Sequence, residues 1–225
     1  KRIQIMKIII LGSNGLVGRE VSKYLSKKHD IIKSDIDTLD LKNSESTELF
    51  FKKNKADVLI NLFGKNEHVS SISNNLTTVN NIKEDEIRDY FEVNTILLFR
   101  VCRYFTKYNL EGKVFNFSSL YGHHVPNPKY YSGAHKSLGY CLSKAATVML
   151  TKYLAVHFPR HEFIDIVLGG VKNNQNKNFT SNYIEDIPKK RMLNSSEIGP
   201  VIEGLFETKY ITGTSVFLDG GKNLY

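Results

Sequence analysis

The sequence has few cysteines, no long apolar run and no concentrated block of charge. Cys102 and Cys141 are its only two cysteines in 225 residues, too few for the disulfide framework of a small extracellular fold, so a reducing, cytoplasmic setting is expected. No stretch reaches the ~18–20 consecutive apolar residues of a membrane span. Lys7 interrupts the first apolar residues before a signal-peptide core can form, and Met6 is a candidate initiator behind a short leading extension. No membrane association is expected. The formal net charge of +8 is dispersed, and Lys27-Lys28, Lys52-Lys53 and Lys189-Lys190 are only pairs. Without a basic stripe interleaved with aromatics, no nucleic-acid partner is expected; the surplus reads as a solvated lysine-rich surface with a bias toward anionic small molecules. There is no internal repeat and no linker-like composition, which implies one domain over 1–225.

What is present is a regular alternation. Short runs rich in Val, Ile and Phe at Lys7–Leu11, Ile31–Asp35, Asp57–Leu62, Val114–Ser118, Phe163–Leu168 and Ser215–Leu218 predict strands. Between them, helical patterns are expected from the first glycine cluster to about Lys28 and near 44–54, 84–108, 140–158 and 195–206. The spacing predicts an α/β fold: a single doubly wound, mostly parallel sheet of Rossmann type with helices on both faces. Three stretches, Gly64–Lys83, Tyr121–Gly139 and Lys172–Lys190, are polar and longer than ordinary connections. On such a sheet, long loops are where a substrate pocket is assembled.

Gly12-Ser13-Asn14-Gly15-Leu16-Val17-Gly18 directly follows the first strand and opens the first helix. Glycines there permit a tight turn, let backbone approach a pyrophosphate and allow close helix–strand packing, while the helix N-terminus favours the negative charge. Asp35 ends the second strand, where a carboxylate accepts hydrogen bonds from adenosine ribose hydroxyls and repels a 2′-phosphate. NAD is therefore expected over NADP. Asp37 is an alternative for the carboxylate, and Lys33 and Arg19 are cations able to accommodate a phosphate.

Tyr140 and Lys144, four residues apart in a predicted helix, share one face. A nearby ammonium stabilises phenolate and lowers a tyrosine pKa from about 10 toward neutrality, which suits general acid/base work. Ser118-Ser119 end the fourth predicted strand, which puts a hydroxyl at the ligand-binding edge of the sheet. Asn94 sits inside a long helical pattern, an unfavourable place for asparagine unless its amide is used; holding a water or a backbone carbonyl beneath the lysine is such a use.

Taken together these residues resemble the short-chain dehydrogenase/reductase family over nearly the whole chain. Gly12–Gly18 has the GxxGxxG form typical of nucleotide-sugar-modifying members, and Asn61-Leu62-Phe63-Gly64 resembles the family's Asn-Asn-Ala-Gly motif with its middle altered. The resemblance implies an NAD(P)-dependent oxidoreductase with Asn94, Ser119, Tyr140 and Lys144 as its catalytic tetrad. Ser119 is chosen over Ser118 because the family serine is followed by two residues and a glycine, here Gly122. By the same resemblance Asp35-Ile36, Asp40-Leu41, Asn61–Gly64 and Gly170-Val171 line the cofactor; Tyr140 and Lys144 also touch it, the lysine through ribose. Tyr210 to Gly221 is similar to the family's closing strand, and a homodimer or homotetramer is implied.

The sequence departs from the family where Leu168 replaces the usual proline, and where the connection from Ser119 to Tyr140 is long. Tyr131 lies nearer the usual spacing, but His135 rather than a lysine follows it by four; Tyr121, Tyr131 and His135 are therefore expected as substrate contacts. Ser118–Gly122, the following proline, the expanded loop, Gly169-Gly170 and Asn174-Gln175 resemble one subgroup, oxidoreductases associated with bacterial acylneuraminate cytidylyltransferases and surface-sugar pathways. This implies a sugar or amino-sugar substrate. No metal is expected, because His123, His124 and His135 lack partners at ligand spacing. Two alternatives stay open: a non-catalytic NAD(P)-binding partner or redox sensor, and a nucleotide-sugar epimerase or dehydratase.

Overall fold

A computed structural model describes residues 4–67, 79–131 and 135–224. Its centre is a six-stranded sheet in the order β2-β1-β3-β4-β5-β6, with every pairing parallel. The strands are β1 (Lys7–Leu11), β2 (Asp30–Ser34), β3 (Val58–Asn61), β4 (Gly112–Ser119), β5 (His161–Leu168) and β6 (Thr214–Leu218). The strand order reverses between β1 and β3, and ligands of open α/β sheets bind outside the carboxyl ends of strands at such a switch point.

The strands bury both faces, so they read as continuous apolar runs rather than alternating ones. Ile9, Leu11, Leu59, Val114 and Phe163 point to one face, where they meet Phe51, Val101, Phe105 and Leu154. Ile8, Ile10, Val58, Ile60, Phe115 and Ile164 point to the other, against Val21, Leu25, Ile198 and Ile202. Helices α2 (Ser44–Lys53), α4 (Leu97–Tyr108) and α5 (Leu138–His157) thus cover the first face, and α1 (Leu16–Leu25) and α7 (Ile198–Gly204) cover the second.

The expected elements are present with shifted ends. Asp35 lies one residue beyond β2, and β4 runs on to include Ser119. The long helical pattern 84–108 is α3 (Glu84–Phe91) joined to α4 through a π-helical turn, Glu92–Ile96. The stretch Lys172–Lys190, expected as a loop, contains α6 (Lys177–Glu185), which Asn176 caps through its side chain. Residues 68–78 of the expected loop Gly64–Lys83 and residues 132–134 of Tyr121–Gly139 lie outside the described residues. None of the described helices is long and apolar enough to cross a membrane.

Candidate active site

The turn after β1 is built for close backbone approach. Gly12 has φ +80°, a conformation that favours glycine, and a Cβ there would lie 2.5 Å from the Phe63 nitrogen. Leu62 and Phe63 therefore contribute backbone at the switch point. A Cβ on Gly18 would stand 2.1 Å from the Gly12 carbonyl oxygen, so α1 can pack against the turn only without a side chain there. Gly15, the N-cap of α1, is exposed and has no side-chain cap of its own. The open N-terminal amides, with glycine on either side, form a cradle that suits a pyrophosphate.

Asp35 closes this cradle from β2. One carboxylate oxygen accepts the Asn14 N–H at 2.8 Å and the other accepts the Ile36 N–H at 2.8 Å. Ser13 is buried behind the turn, and Ile36 is exposed beside it. Farther along, the Asp40 carboxylate accepts the Lys42 N–H, while Leu41 is half-buried against the core and its carbonyl accepts from Arg100.

Asn61, expected among the cofactor-lining residues, turns its side chain into the core. Period-two alternation turns it to the α4–α5 face, where it is 2% exposed and its amide donates to Asn116 Oδ1 at 2.8 Å. Asn116 in turn donates to Thr151. Ser143, Thr147 and Thr151 recur every four residues along α5, and their hydroxyls donate to backbone carbonyls. This polar seam was not anticipated. Its signal is the spacing of four between small hydroxyl residues on an otherwise apolar helix.

Asn94 occupies the π-helical turn, a distortion common at functional sites. Its Oδ1 accepts the Lys65 N–H at 2.7 Å and its Nδ2 donates to the Lys65 carbonyl and to Ser143 Oγ. The amide thus clasps the chain just after Gly64, whose Cβ, were there one, would lie 3.1 Å from Asn94 Oδ1 and 3.7 Å from Lys144 Nζ. Asn94 thus bonds the backbone of Lys65 through both its oxygen and its nitrogen.

At the end of β4 the two serines part. Ser118 donates to the buried Asp165 carboxylate at 2.8 Å, and Ser215 donates to the same carboxylate. Ser119 accepts the Tyr121 N–H and lies beside Tyr140. Tyr140 is in the first turn of α5, behind the N-cap Ser137, with its ring edge-on to Tyr90 at 6.1 Å. Lys144 Nζ donates to the Phe117 carbonyl at 2.8 Å and is 5.9 Å from the Tyr140 ring centroid. Asn94, Ser119, Tyr140 and Lys144 are therefore gathered at one place.

Their electrostatics reverse one expectation. Burial pushes the Tyr140 phenol up to about 12, against a lowering by the Ser119 hydroxyl. Burial also pulls Lys144 down to about 8; Asp165 opposes this and Lys136 adds to it. Desolvation dominates both groups, and the Lys144 ammonium is directed at the Phe117 carbonyl. Lys136 was missed: its Nζ lies 4.3 Å over the Tyr140 ring centroid and donates to Asn66 Oδ1 and the Glu67 carbonyl. Burial brings it, too, to about 8.

Tyr121 and Tyr131, expected as substrate contacts, bond to one another, with the Tyr131 hydroxyl donating to Tyr121 at 2.7 Å. With Tyr130, Phe179, Tyr183 and Met192 they form an aromatic cluster between the Ser119–Tyr140 connection and α6. His135 is half-buried and donates from Nδ1 to the Lys136 carbonyl. Gly170 and Val171 leave β5 beside this cluster; the Gly170 N–H donates to the Tyr183 hydroxyl, and Val171 pairs with Leu193.

The sheet order, the glycine cradle and the gathered Ser, Tyr and Lys define a dinucleotide-dependent oxidoreductase of Rossmann type. The family model described as enoyl-(acyl carrier protein) reductase matches residues 17–223, and the chain belongs to the short-chain dehydrogenase/reductase family, NAD(P)-dependent oxidoreductases acting on CH–OH groups. No curated protein matches the chain. Among solved structures it is similar to a short-chain dehydrogenase from Leptospira borgpetersenii with bound NAD+, at 23% identity and TM-score 0.83 over 98% of this chain and 93% of that one. It is also similar to a gluconate 5-dehydrogenase from Burkholderia cenocepacia in complex with NADP and tartrate, at 15% identity and TM-score 0.82 over 100% and 97% of the two chains. A short-chain type dehydrogenase/reductase from Mycobacterium marinum has 17% identity and TM-score 0.82 over 97% and 95%. At these identities the likeness shows the fold.

Proposed function

We propose that the chain is a single-domain reductase or dehydrogenase of a polar, sugar-like alcohol or carbonyl compound, with Ser119, Tyr140 and Lys144 as its catalytic residues. The observation that carries this reading is the meeting of Ser119, at the end of β4, with Tyr140 and Lys144 in the first turns of α5. Ser119 positions the substrate oxygen and Tyr140 exchanges a proton with it. A phenol held up at about 12 stays protonated near neutrality, which suits a donor to a nascent alkoxide. Lys144 presents its ammonium to the ribose and to the charge that develops on Tyr140, while Asn94 fixes the chain at Gly64 against both.

NAD(P) fits the cradle at Gly12–Gly18, with Asp35 on the adenosine ribose and the backbone of Leu62–Gly64, Gly170 and Val171 toward the other end. When bound, the nicotinamide supplies or takes the hydride. The carboxylate of Asp35 at the end of β2 supports a preference for NAD.

The substrate on this reading is a sugar or amino-sugar, with Tyr121, Tyr131 and His135 of the Ser119–Tyr140 connection as its contacts. The resemblance of Ser118–Gly122 and Asn174-Gln175 to the acylneuraminate-associated subgroup points the same way. A homodimer or homotetramer, in the cytoplasm, belongs to the same reading, and an apolar stripe on α5 supports self-association. Leu142, Met149, Tyr153 and Val156 are 42%, 65%, 59% and 77% exposed, beside Ile96 and Phe99 at 48% and 41%; such a stripe suits a helix-pair interface with a second copy. The testing experiment is a nicotinamide-fluorescence screen of the purified protein with NADH and NADPH against sugars, sugar acids and nucleotide sugars. Absence of oxidation with every sugar class, alongside turnover of an apolar ketone, would refute the substrate reading. Sedimentation as a monomer would refute the dimer.

A further inference from the structure

Asp165 sits in the middle of β5 with its side chain 1% exposed, a place where a carboxylate needs donors to replace water. Ser118 Oγ and Ser215 Oγ donate to its Oδ2 at 2.8 and 2.9 Å, and the Ser118 N–H donates to its Oδ1 at 3.0 Å. Donors directed at both oxygens satisfy the group as the anion. The Ser118 N–H belongs to the Phe117–Ser118 peptide, and the carbonyl of that same peptide accepts Lys144 Nζ at 2.8 Å. One planar peptide unit therefore lies between a buried carboxylate and a desolvated ammonium, its donor bonded to the first and its acceptor to the second. Hydrogen bonds in such a chain polarise one another, so the anion makes the Phe117 carbonyl a stronger acceptor for the ammonium.

We propose that Asp165 is a positioning residue that acts on Lys144 through the Phe117–Ser118 peptide, fixing the ammonium in place and favouring its charged form. This rests on the reading that Lys144 serves the reaction as an ammonium. The bond to Phe117 uses one of its three N–H donors and leaves two for other partners. The effect of Asp165 on Lys144 opposes desolvation, whereas Lys136, of like sign, works with it. On the other side of the carboxylate, His123 Nε2 lies 3.9 Å from Oδ2. Burial lowers the His123 pKa, against Asp165 and with His124 and Lys152. Near neutrality His123 is therefore uncharged and leaves the carboxylate to Lys144. Ser118 and Asp165, which the proposed reaction leaves unused, thereby share one task.

The test follows the Lys144 side-chain carbons and the Asp165 carboxyl carbon by carbon-13 NMR as the intact protein is titrated with acid and base. Asp165→Asn keeps the shape and an acceptor for the Ser118 N–H while removing the charge. In that variant the Lys144 titration, and with it the alkaline fall in turnover read as NADH oxidation, should move about one unit to lower pH. Ser215→Ala removes one donor but leaves the charge and the peptide link, and it should leave both where they are in the wild type. Coupling is reciprocal, so Lys144→Met should raise the Asp165 pKa by about as much; this arm decides the matter if Asp165→Asn does not fold. An unmoved Lys144 titration in Asp165→Asn, or an unmoved Asp165 titration in Lys144→Met, overturns the inference. Equal shifts of Lys144 in Asp165→Asn and Ser215→Ala also overturn it, because they would report repacking rather than charge. Wild-type turnover in Lys144→Met would instead refute the catalytic reading of Lys144, and the inference with it, whatever the titrations show.

Discussion

Lys136 holds its ammonium 4.3 Å over the centroid of the Tyr140 ring, nearer than Lys144, which is 5.9 Å away. The two lysines approach from opposite ends of one short segment, and burial brings each to about 8. Lys65 extends the group from the loop after β3, lying over the Tyr90 ring that abuts Tyr140. When Tyr140 donates its proton, its ring becomes anionic, and both near ammonium groups stabilise that charge only while protonated. They are charged below about 8 and lose their protons as the pH rises through it. Turnover in the reductive direction is therefore expected to be level near neutrality and to fall through about pH 8. Lys136→Met should lower kcat by about tenfold at pH 7 and make the fall shallower, and Lys136→Arg should restore both. A pH profile of Lys136→Met that superimposes on that of the wild type would remove Lys136 from this role.

Tyr140→Phe tests the proton donor itself. The substitution leaves the ring against Tyr90 and below Lys136, so cofactor affinity should change little, whereas turnover should fall by about 10²–10⁴-fold. Ser119→Ala should give a smaller loss with a raised KM, because in the proposed function Ser119 positions the substrate oxygen and transfers no proton. Substantial residual turnover in Tyr140→Phe would transfer the acid/base role to another group.

Asp35 does two jobs that a substitution can separate. Its carboxylate braces the glycine turn through the Asn14 N–H and its own turn through the Ile36 N–H, and in the proposed function its charge faces the adenosine ribose. Asp35→Ala should weaken NAD binding and relax discrimination against NADP. Asp35→Asn keeps an acceptor oxygen for one brace and removes the charge, and it should preserve NAD affinity better while relaxing discrimination as far. Equal NAD-to-NADP affinity ratios in the wild type and both variants, measured by titration, would show that the carboxylate does not select the cofactor.

The sheet and the glycine turn were legible because they depend on local signals: apolar runs such as Lys7–Leu11, and glycines at positions where a Cβ would strike backbone. α6 was hidden because Lys177–Glu185 is rich in Asn, Ser and Thr. Its helix is secured by Phe179 and Tyr183 packing on Tyr130 and Tyr131, contacts distant in sequence. The motif match that singled out Asn61 does not show which way its side chain turns; its place in the strand alternation after Leu59 turns it to the α4–α5 face. The raised phenol of Tyr140 could not be read from its spacing to Lys144. Spacing sets which charges are near, but burial by Tyr90 and the loop after β3 sets how far both groups are desolvated.

That desolvation makes Lys144 a site where function and stability conflict. The folded state holds its pKa at about 8, below the ordinary lysine value of 10.5, so between these values the unfolded chain binds more protons than the folded one. Stability contributed by this group therefore rises as the pH increases from about 8 to 10.5, and the full penalty of burying the charge is present below about 8. Lys144→Met keeps most of the stem and removes the charge. At pH 7 the variant should melt higher than the wild type by at least about 2 °C, while turnover is lost. The advantage should shrink as the pH is raised toward 10, where the wild-type lysine folds uncharged. Matched thermal melts at pH 7 and pH 10 check the sign. A variant that melts lower than the wild type at pH 7 would mean that the bond from Lys144 to the Phe117 carbonyl outweighs the cost of its burial.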